Sequence, residues 1–231
     1  MNQGITWIDL GGVNSYLCKT ADGFILFDTG GHLSMDKQVN NRREKLEAEL
    51  VKAGCMPGNL KLIVLTHGDS DHTANAAYIR EKYKTKIAMH AGDAEMAKIP
   101  TSERMMENFR FRALKYRIMS LFVKKLVSRV IAKQLCSFES FDPDILLDDG
   151  SSLLDFGLDA DVIHLPGHTD GSIGILLSDG SLIAGDTCTC GGKLMPALNA
   201  KDFNALDKSI GRLKIMDIKK VYPGHGEPFT Y

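Results

Sequence analysis

The chain has 231 residues, 44% hydrophobic and 25% charged, a make-up that excludes a largely disordered protein and suits one large domain or two small ones. With 28 Lys+Arg against 29 Asp+Glu the formal charge is −1, so nothing electrostatic favours nucleic acid as a partner. No window approaches the roughly 20 apolar residues of a membrane-spanning helix, and the opening residues lack the basic and apolar regions of a signal peptide.

Short apolar runs at Ile5 to Leu10, Ser15 to Cys18 and Phe24 to Phe27 are separated by Gly11-Gly12 and Asp22-Gly23, which predicts a meander of strands. Asp36 to Lys52 has helical composition and stops at Gly54, with Pro57 just beyond. Leu60 to Leu65 reads as a buried strand. It empties into Thr66-His67-Gly68-Asp69-Ser70-Asp71-His72, followed by a helix over Thr73 to Lys84 and a strand at Lys86 to Met89.

The second half repeats this grammar. Strands are expected at Ile145 to Leu147, Ser152 to Leu154, Asp161 to Leu165, Ile173 to Leu177, Leu182 to Ala184 and Lys220 to Tyr222, with a helix from about Lys201 to Ile215. Two blocks of strands with helices predict one domain spanning 1–231, a sandwich of two sheets covered by helices. Between the blocks, about 94–141, basic residues such as Arg110, Lys124 and Arg129 alternate with Met105, Phe109, Leu121 and Phe122. This is an amphipathic helical insert. It reads as a hairpin packed on the core, as a lid over an apolar pocket, or as a contact for a membrane surface.

Five cysteines stand at 18, 55, 136, 188 and 190, an odd number with no C-x-x-C pair. That pattern suits a reducing cytoplasm. Cys188 and Cys190 close behind Asp186 are read as buried thiols.

Four of the seven histidines stand where a strand ends in a Gly-flanked loop: His67, His72, His168 and His225. Strand ends hold side chains rigidly at one rim of a sheet. His67, Asp69, Asp71 and His72 supply two imidazoles and two carboxylates within one turn, and Asp186 follows another apolar strand. Zinc, iron and manganese all accept such ligands. His90 and His164 are read as structural, and His32 as an ordinary loop histidine.

These landmarks, with Leu26-Phe27-Asp28-Thr29-Gly30, Gly167-His168-Thr169, Gly185-Asp186 and Pro223-Gly224-His225-Gly226, give the chain a sequence that resembles the metallo-β-lactamase superfamily along nearly its whole length. The resemblance implies an α/β fold, an αββα four-layer sandwich of two mixed sheets flanked by helices, with metals at one edge between the sheets. It implies that His67, Asp69 and His168 hold one metal, that Asp71, His72 and His225 hold a second, and that Asp186 bridges both. Asp28 matches an aspartate that supports the site. Position 69 departs from the family, which commonly has a third loop histidine there. A carboxylate hardens that half of the site and favours iron or manganese more than a His-rich set would.

The resemblance further implies two divalent metal ions, zinc first and iron or manganese as alternatives, sharing a hydroxide that attacks an electrophilic centre. Asp71 is placed to orient the water as well as to bind metal. Gly167-His168-Thr169-Asp170-Gly171-Ser172 is similar to a segment of glyoxalase-II-like thioesterases, with Asp170 for their usual proline. The expected activity is hydrolysis of a small-molecule ester, thioester or lactone. Phosphodiester hydrolysis is one alternative. A di-iron redox protein is another, because a carboxylate at position 69 also occurs in the flavin-linked oxygen reductases of the superfamily. Those carry a flavodoxin domain, for which this chain has no room. A binder that kept the fold without activity is a third. A homodimer is left open.

Overall fold

A computed structural model describes residues 4–31, 41–189 and 193–231. Two mixed sheets dominate it. The first is formed by β1 (Ile5–Asp9), β2 (Asn14–Lys19) and β3 (Phe24–Phe27), followed after α1 (Arg42–Lys52) by β4 (Leu60–Val64). Two short helices, α2 (Ser70–Thr73) and α3 (Ala76–Tyr83), lead to β5 (Ile87–His90) and α4 (Ala91–Lys98). Then come α5 (Ser102–Glu107), the long α6 (Leu114–Leu135) and β6 (Ile145–Leu147). The second sheet uses β7 (Ala160–His164), β8 (Ile173–Leu177) and β9 (Ser181–Gly185). It is completed, after a small hairpin of β10 (Cys188–Thr189) and β11 (Met195–Pro196) and then α7 (Phe203–Leu213), by β12 (Lys220–Pro223) and β13 (Phe229–Thr230).

Strand order is β1-β2-β3-β4-β5-β6 in the first sheet and β13-β12-β9-β8-β7 in the second. The pairs β1–β2 and β2–β3 are antiparallel, whereas β3–β4, β4–β5 and β5–β6 are parallel. In the second sheet only β9–β12 is parallel.

Side chains alternate across a strand with period two, so each sheet has two faces to cover. Leu26, Ile63, Ile87 and Met89 point to one side and pack with Leu46 and Leu50 of α1, Ile79 and Tyr83 of α3, and Ala97 of α4. Their neighbours Ile25, Phe27, Leu62, Val64 and Ala88 point the other way, against Val162, Ile173, Ile175, Ile183 and Tyr222 of the second sheet. On that sheet's far side Ile163, Leu182, Ala184 and Val221 meet Ile210 and Leu213 of α7. Three apolar interlayers between four layers make this an αββα sandwich.

The differences from the sequence reading are local. Ser152 to Leu154 forms no strand: Ser152 makes a single bridge to Asp161, and Leu154–Phe156 is a 3-10 turn. Gly150 and Gly157, both at φ +82, bracket a run too short for a ladder. The helix expected over Thr73 to Lys84 divides, because the side chain of Asn75 at the break donates to Thr29 O. Residues 36–40 of the helix expected from Asp36 lie outside the described residues, as do His32 and Cys190. Helix α4 starts at Ala91, ahead of the stretch read as an insert, and runs into it to contribute Ala97 to the core. By contrast α6 has no buried residue.

Candidate metal centre

The parallel strand β4 delivers its loop at one edge of the sandwich. Asp69 begins α2, a single helical turn secured by His72 N–H and Thr73 N–H donating to Asp69 O. That turn sets His72 against His67, ring centroids 4.3 Å apart, and Asp71 beside His72 and His225. From the second sheet, β7 leads to His168, β9 to Asp186 and β12 to His225. A Cβ at position 224 would collide with Asp186 Oδ1 and stand 2.8 Å from His72 Cε1. Glycine there is what lets the His225 loop close onto the others.

All seven sequence-predicted residues come together. His67, Asp69 and His168 form one group, and Asp71, His72 and His225 another, with the ligand-capable atoms of each within 4.8 Å of one another. Asp186 stands between them. Its Oδ1 is 3.4 Å from His72 Nε2, and its Oδ2 is 3.1 Å from His225 Nε2 and 3.7 Å from His168 Nε2. Asp69 Oδ2 lies 3.0 Å from His168 Nε2 and 3.7 Å from His67 Nε2. The His67 half is enclosed. The other half is open, with 43% of the His225 side chain exposed.

Each imidazole is held from behind through Nδ1. His72 Nδ1 donates to Asp28 Oδ2 at 2.9 Å, His168 Nδ1 to Asn199 O at 3.2 Å, and His225 Nδ1 to Gly12 O. His67 Nδ1 meets Thr66 Oγ1, whose own proton goes to Asp28 Oδ2. Such partners fix the tautomer, leaving the Nε2 lone pair for a ligand. Asp28 also forms a close group with His67 and His72. Its oxygens are engaged by Thr66 N, Thr66 Oγ1 and His72 Nδ1, so it supports the histidines and does not face the centre.

Imidazoles and carboxylates set one another's charge here. Burial opposes charge on His72 and His168, yet Asp186 with Asp28, and Asp69 with Asp186, raise them to about 9. Asp186 raises His225 to about 10. Burial lowers His67, assisted by the neighbouring His72. Burial also works against the Asp186 carboxylate, but His225 and His72 hold it well below the usual range. His67 Nε2 and Asp186 Oδ1 are buried with no hydrogen-bond partner. Unpaired buried polar atoms call for an explanation, and a divalent cation among imidazole and carboxylate donors satisfies both.

Asp93, Asn108 and Arg42 carried no usable sequence signal. Asp93, on the first turn of α4, is buried and accepts from Gly68 N, Gly171 N and Thr169 Oγ1. It thereby ties the His67 loop to the His168 loop. Burial pushes its carboxyl up, and these donors pull it back. Asn108, just after α5, donates to Asp69 Oδ1 at 2.8 Å, and its carbonyl accepts from Asn199. Buried Arg42 donates to Leu10 O and Gly11 O. Asp170, standing where the thioesterase segment has proline, pairs with Lys201 at 2.8 Å. His90 and His164 stack on each other, centroids 4.0 Å apart. Cys188 is buried in the interlayer under α7. A cavity of about 460 Å³ opens over the centre, walled by Arg42, Met105, Phe109, Val130, Ile131 and Gln134.

The sequence matches the family described as the metallo-beta-lactamase superfamily over residues 8–225, and the chain belongs to that superfamily. It is 29% identical over 218 residues to the probable metallo-hydrolase MJ0888 of Methanocaldococcus jannaschii, covering 93% of this chain and 87% of that one. Its fold is similar to that of the metallo-beta-lactamase family protein TTHA1429 from Thermus thermophilus. There the TM-score is 0.71 at 22% identity, over 98% of this chain and 75% of that one. BJP-1, a subclass B3 metallo-beta-lactamase of Bradyrhizobium japonicum, has the same fold at TM-score 0.67 and 18% identity, over 96% and 75%. At the coarse level this is a metallo-hydrolase, and its His/Asp clusters fit the divalent metals typical of the superfamily.

Proposed function

We propose that the protein is a dinuclear metal-dependent hydrolase acting on a small ester, thioester or lactone. The observation that carries this reading is the convergence of four Nε2 atoms and three carboxylates, with every Nδ1 engaged behind. His67, Asp69 and His168 would hold one cation, Asp71, His72 and His225 the other, and Asp186 would reach both. Divalent cations there would polarise a substrate oxygen and supply a nucleophilic water at neutral pH.

The protein's own groups do the rest. Asp71 lies on the open half beside His225, 3.7 Å from its Nε2, where its free oxygen can orient an incoming water. Met105, Phe109, Val130 and Ile131 offer an apolar wall for an acyl group, and Arg42 gives one charged contact for a substrate anion. The likeness of Gly167–Ser172 to thioesterase segments supports the same choice of bond.

Metal quantification on natively expressed protein, with thioester, lactone and phosphodiester substrates, tests this reading. Turnover of an ester-type bond, abolished by chelation and restored by metal, is the expected result. Cleavage of phosphodiesters alone would remove it. Asp69, a carboxylate in the His67 half, is a harder ligand than histidine and favours iron, which supports a redox reading in second place. Iron with visible absorption and no hydrolysis would favour that one.

A further inference from the structure

The centre leaves one large feature unused, the outward face of α6. That helix spans 22 residues, none of them buried. Its inner edge contributes Val130, Ile131 and Gln134 to the cavity wall. Its outer edge carries Leu114, Ile118, Leu121, Phe122 and Leu126, spaced as one helical face and 49–82% exposed. Lys125, Arg129 and Lys133 continue that face toward the C-terminal end. The helix has six Lys and Arg and no Asp or Glu, in a chain whose net charge is −1.

We propose that α6 docks the protein on an anionic lipid surface, lying flat with Leu121 and Phe122 among the acyl chains. The apolar residues match the boundary of a bilayer, and the flanking cations match its acidic headgroups. Long Lys and Arg stems lie along apolar surface while their charges reach outward. A second copy fits this face poorly, because six cations would oppose six. Nucleic acid would satisfy the cations and leave the leucines and Phe122 uncovered. No described helix is long and apolar enough to cross a membrane, so docking is peripheral. Docking would also place the cavity mouth beside the lipid, since the same helix walls both. The proposal rests on α6 and not on the hydrolase reading.

Cosedimentation of the full metal-loaded protein with vesicles tests it. Vesicles of phosphatidylcholine with about 30 mol% phosphatidylserine should bind the chain at least about tenfold more tightly than phosphatidylcholine alone. The pairs L121S/F122S and K125E/R129E should each abolish binding without changing melting temperature or metal content. No binding to either vesicle, equal binding to both, or binding retained by both pairs overturns the proposal. So does a wild-type dimer that L121S/F122S dissociates, since the face then belongs to a second copy. The wild-type comparison of the two vesicles remains decisive even if a variant fails to fold.

Discussion

Four imidazoles present Nε2 to a common centre, and Asp28 governs two of them. It bonds His72 directly and reaches His67 through the Thr66 hydroxyl. Its backbone, at φ +54, turns the carboxylate under both rings. Replacing an outer partner of a metal-binding histidine typically costs 10–100-fold in affinity. Asp28→Ala should therefore lower metal affinity by about that factor, measured by competition with a chelator, while leaving every proposed ligand in place. Asn108→Ala frees Asp69 Oδ1 and, under the proposed two-cation reading, should weaken binding at the His67 half and spare the His225 half. Counting bound metal per chain distinguishes one lost cation from two.

Protons compete for the same atoms. In the cation-free protein His72 and His168 sit at about 9 and His225 at about 10, above the ordinary value of about 6.5. They are charged at pH 7 and must shed protons to accept metal. Affinity should then rise with pH up to about 9 and level off beyond about 10. Calorimetry at pH 7 in buffers of different ionisation enthalpy should register proton release. Linkage gives the converse sign for the bare fold. Stabilisation from these raised histidines is complete below about 6.5 and is lost as pH rises through about 9–10.

The seven converging residues were legible because each follows a strand of recognisable pattern, and because their order resembles a known family. Asp28 was legible for the second reason alone. Asn108, Asn199 and Asp93 were not, since an amide or carboxylate acquires its role only when distant backbone comes within reach. Asn108 meets Asp69 across 39 residues and Asp93 meets Gly171 across 78.

At the scale of elements, β3, β8 and the strand before His67 matched their apolar runs closely, because buried strands leave an unbroken signature. Elements shaped by polar side chains or glycine at positive φ, such as the α2–α3 break and the turn after Ser152, left no such trace. The loops that carry His67 and His168 depend on α4 as a clamp. A Cβ on residue 171 would lie 2.6 Å from Asp93 N and 2.7 Å from its carboxyl carbon. Gly171→Ala should destabilise the fold by roughly 1–3 kcal/mol, the usual cost of overpacking, and displace the His168 loop. Urea unfolding with a parallel metal titration reads both effects. Asp93→Asn keeps the size but turns an acceptor into a donor against Gly68 N–H or Gly171 N–H, so it should harm metal affinity more than stability.

For the whole molecule, the interlayer between the sheets sets the baseline of stability. Ile175 is fully buried there, and Ile175→Ala should cost about 2–5 kcal/mol with metal present or absent. Cations held as proposed would add to that baseline, since the ligands converge only in the folded arrangement. A metal held at 100 times its dissociation constant contributes about 2.7 kcal/mol. Chelation should lower the melting temperature accordingly, and no further in a variant that has lost both cations.

The segments around Gly12 and His225 meet across 213 residues of sequence, where His225 Nδ1 rests on Gly12 O. Asn14 and Tyr16 fasten the same junction through Pro223 O. Contacts so remote are slow to form, and the open half of the centre does not exist until this one has. A cation held there as proposed would therefore depend on the outermost strands of both halves having found each other, a latch closed by tertiary structure and not by any local run of sequence.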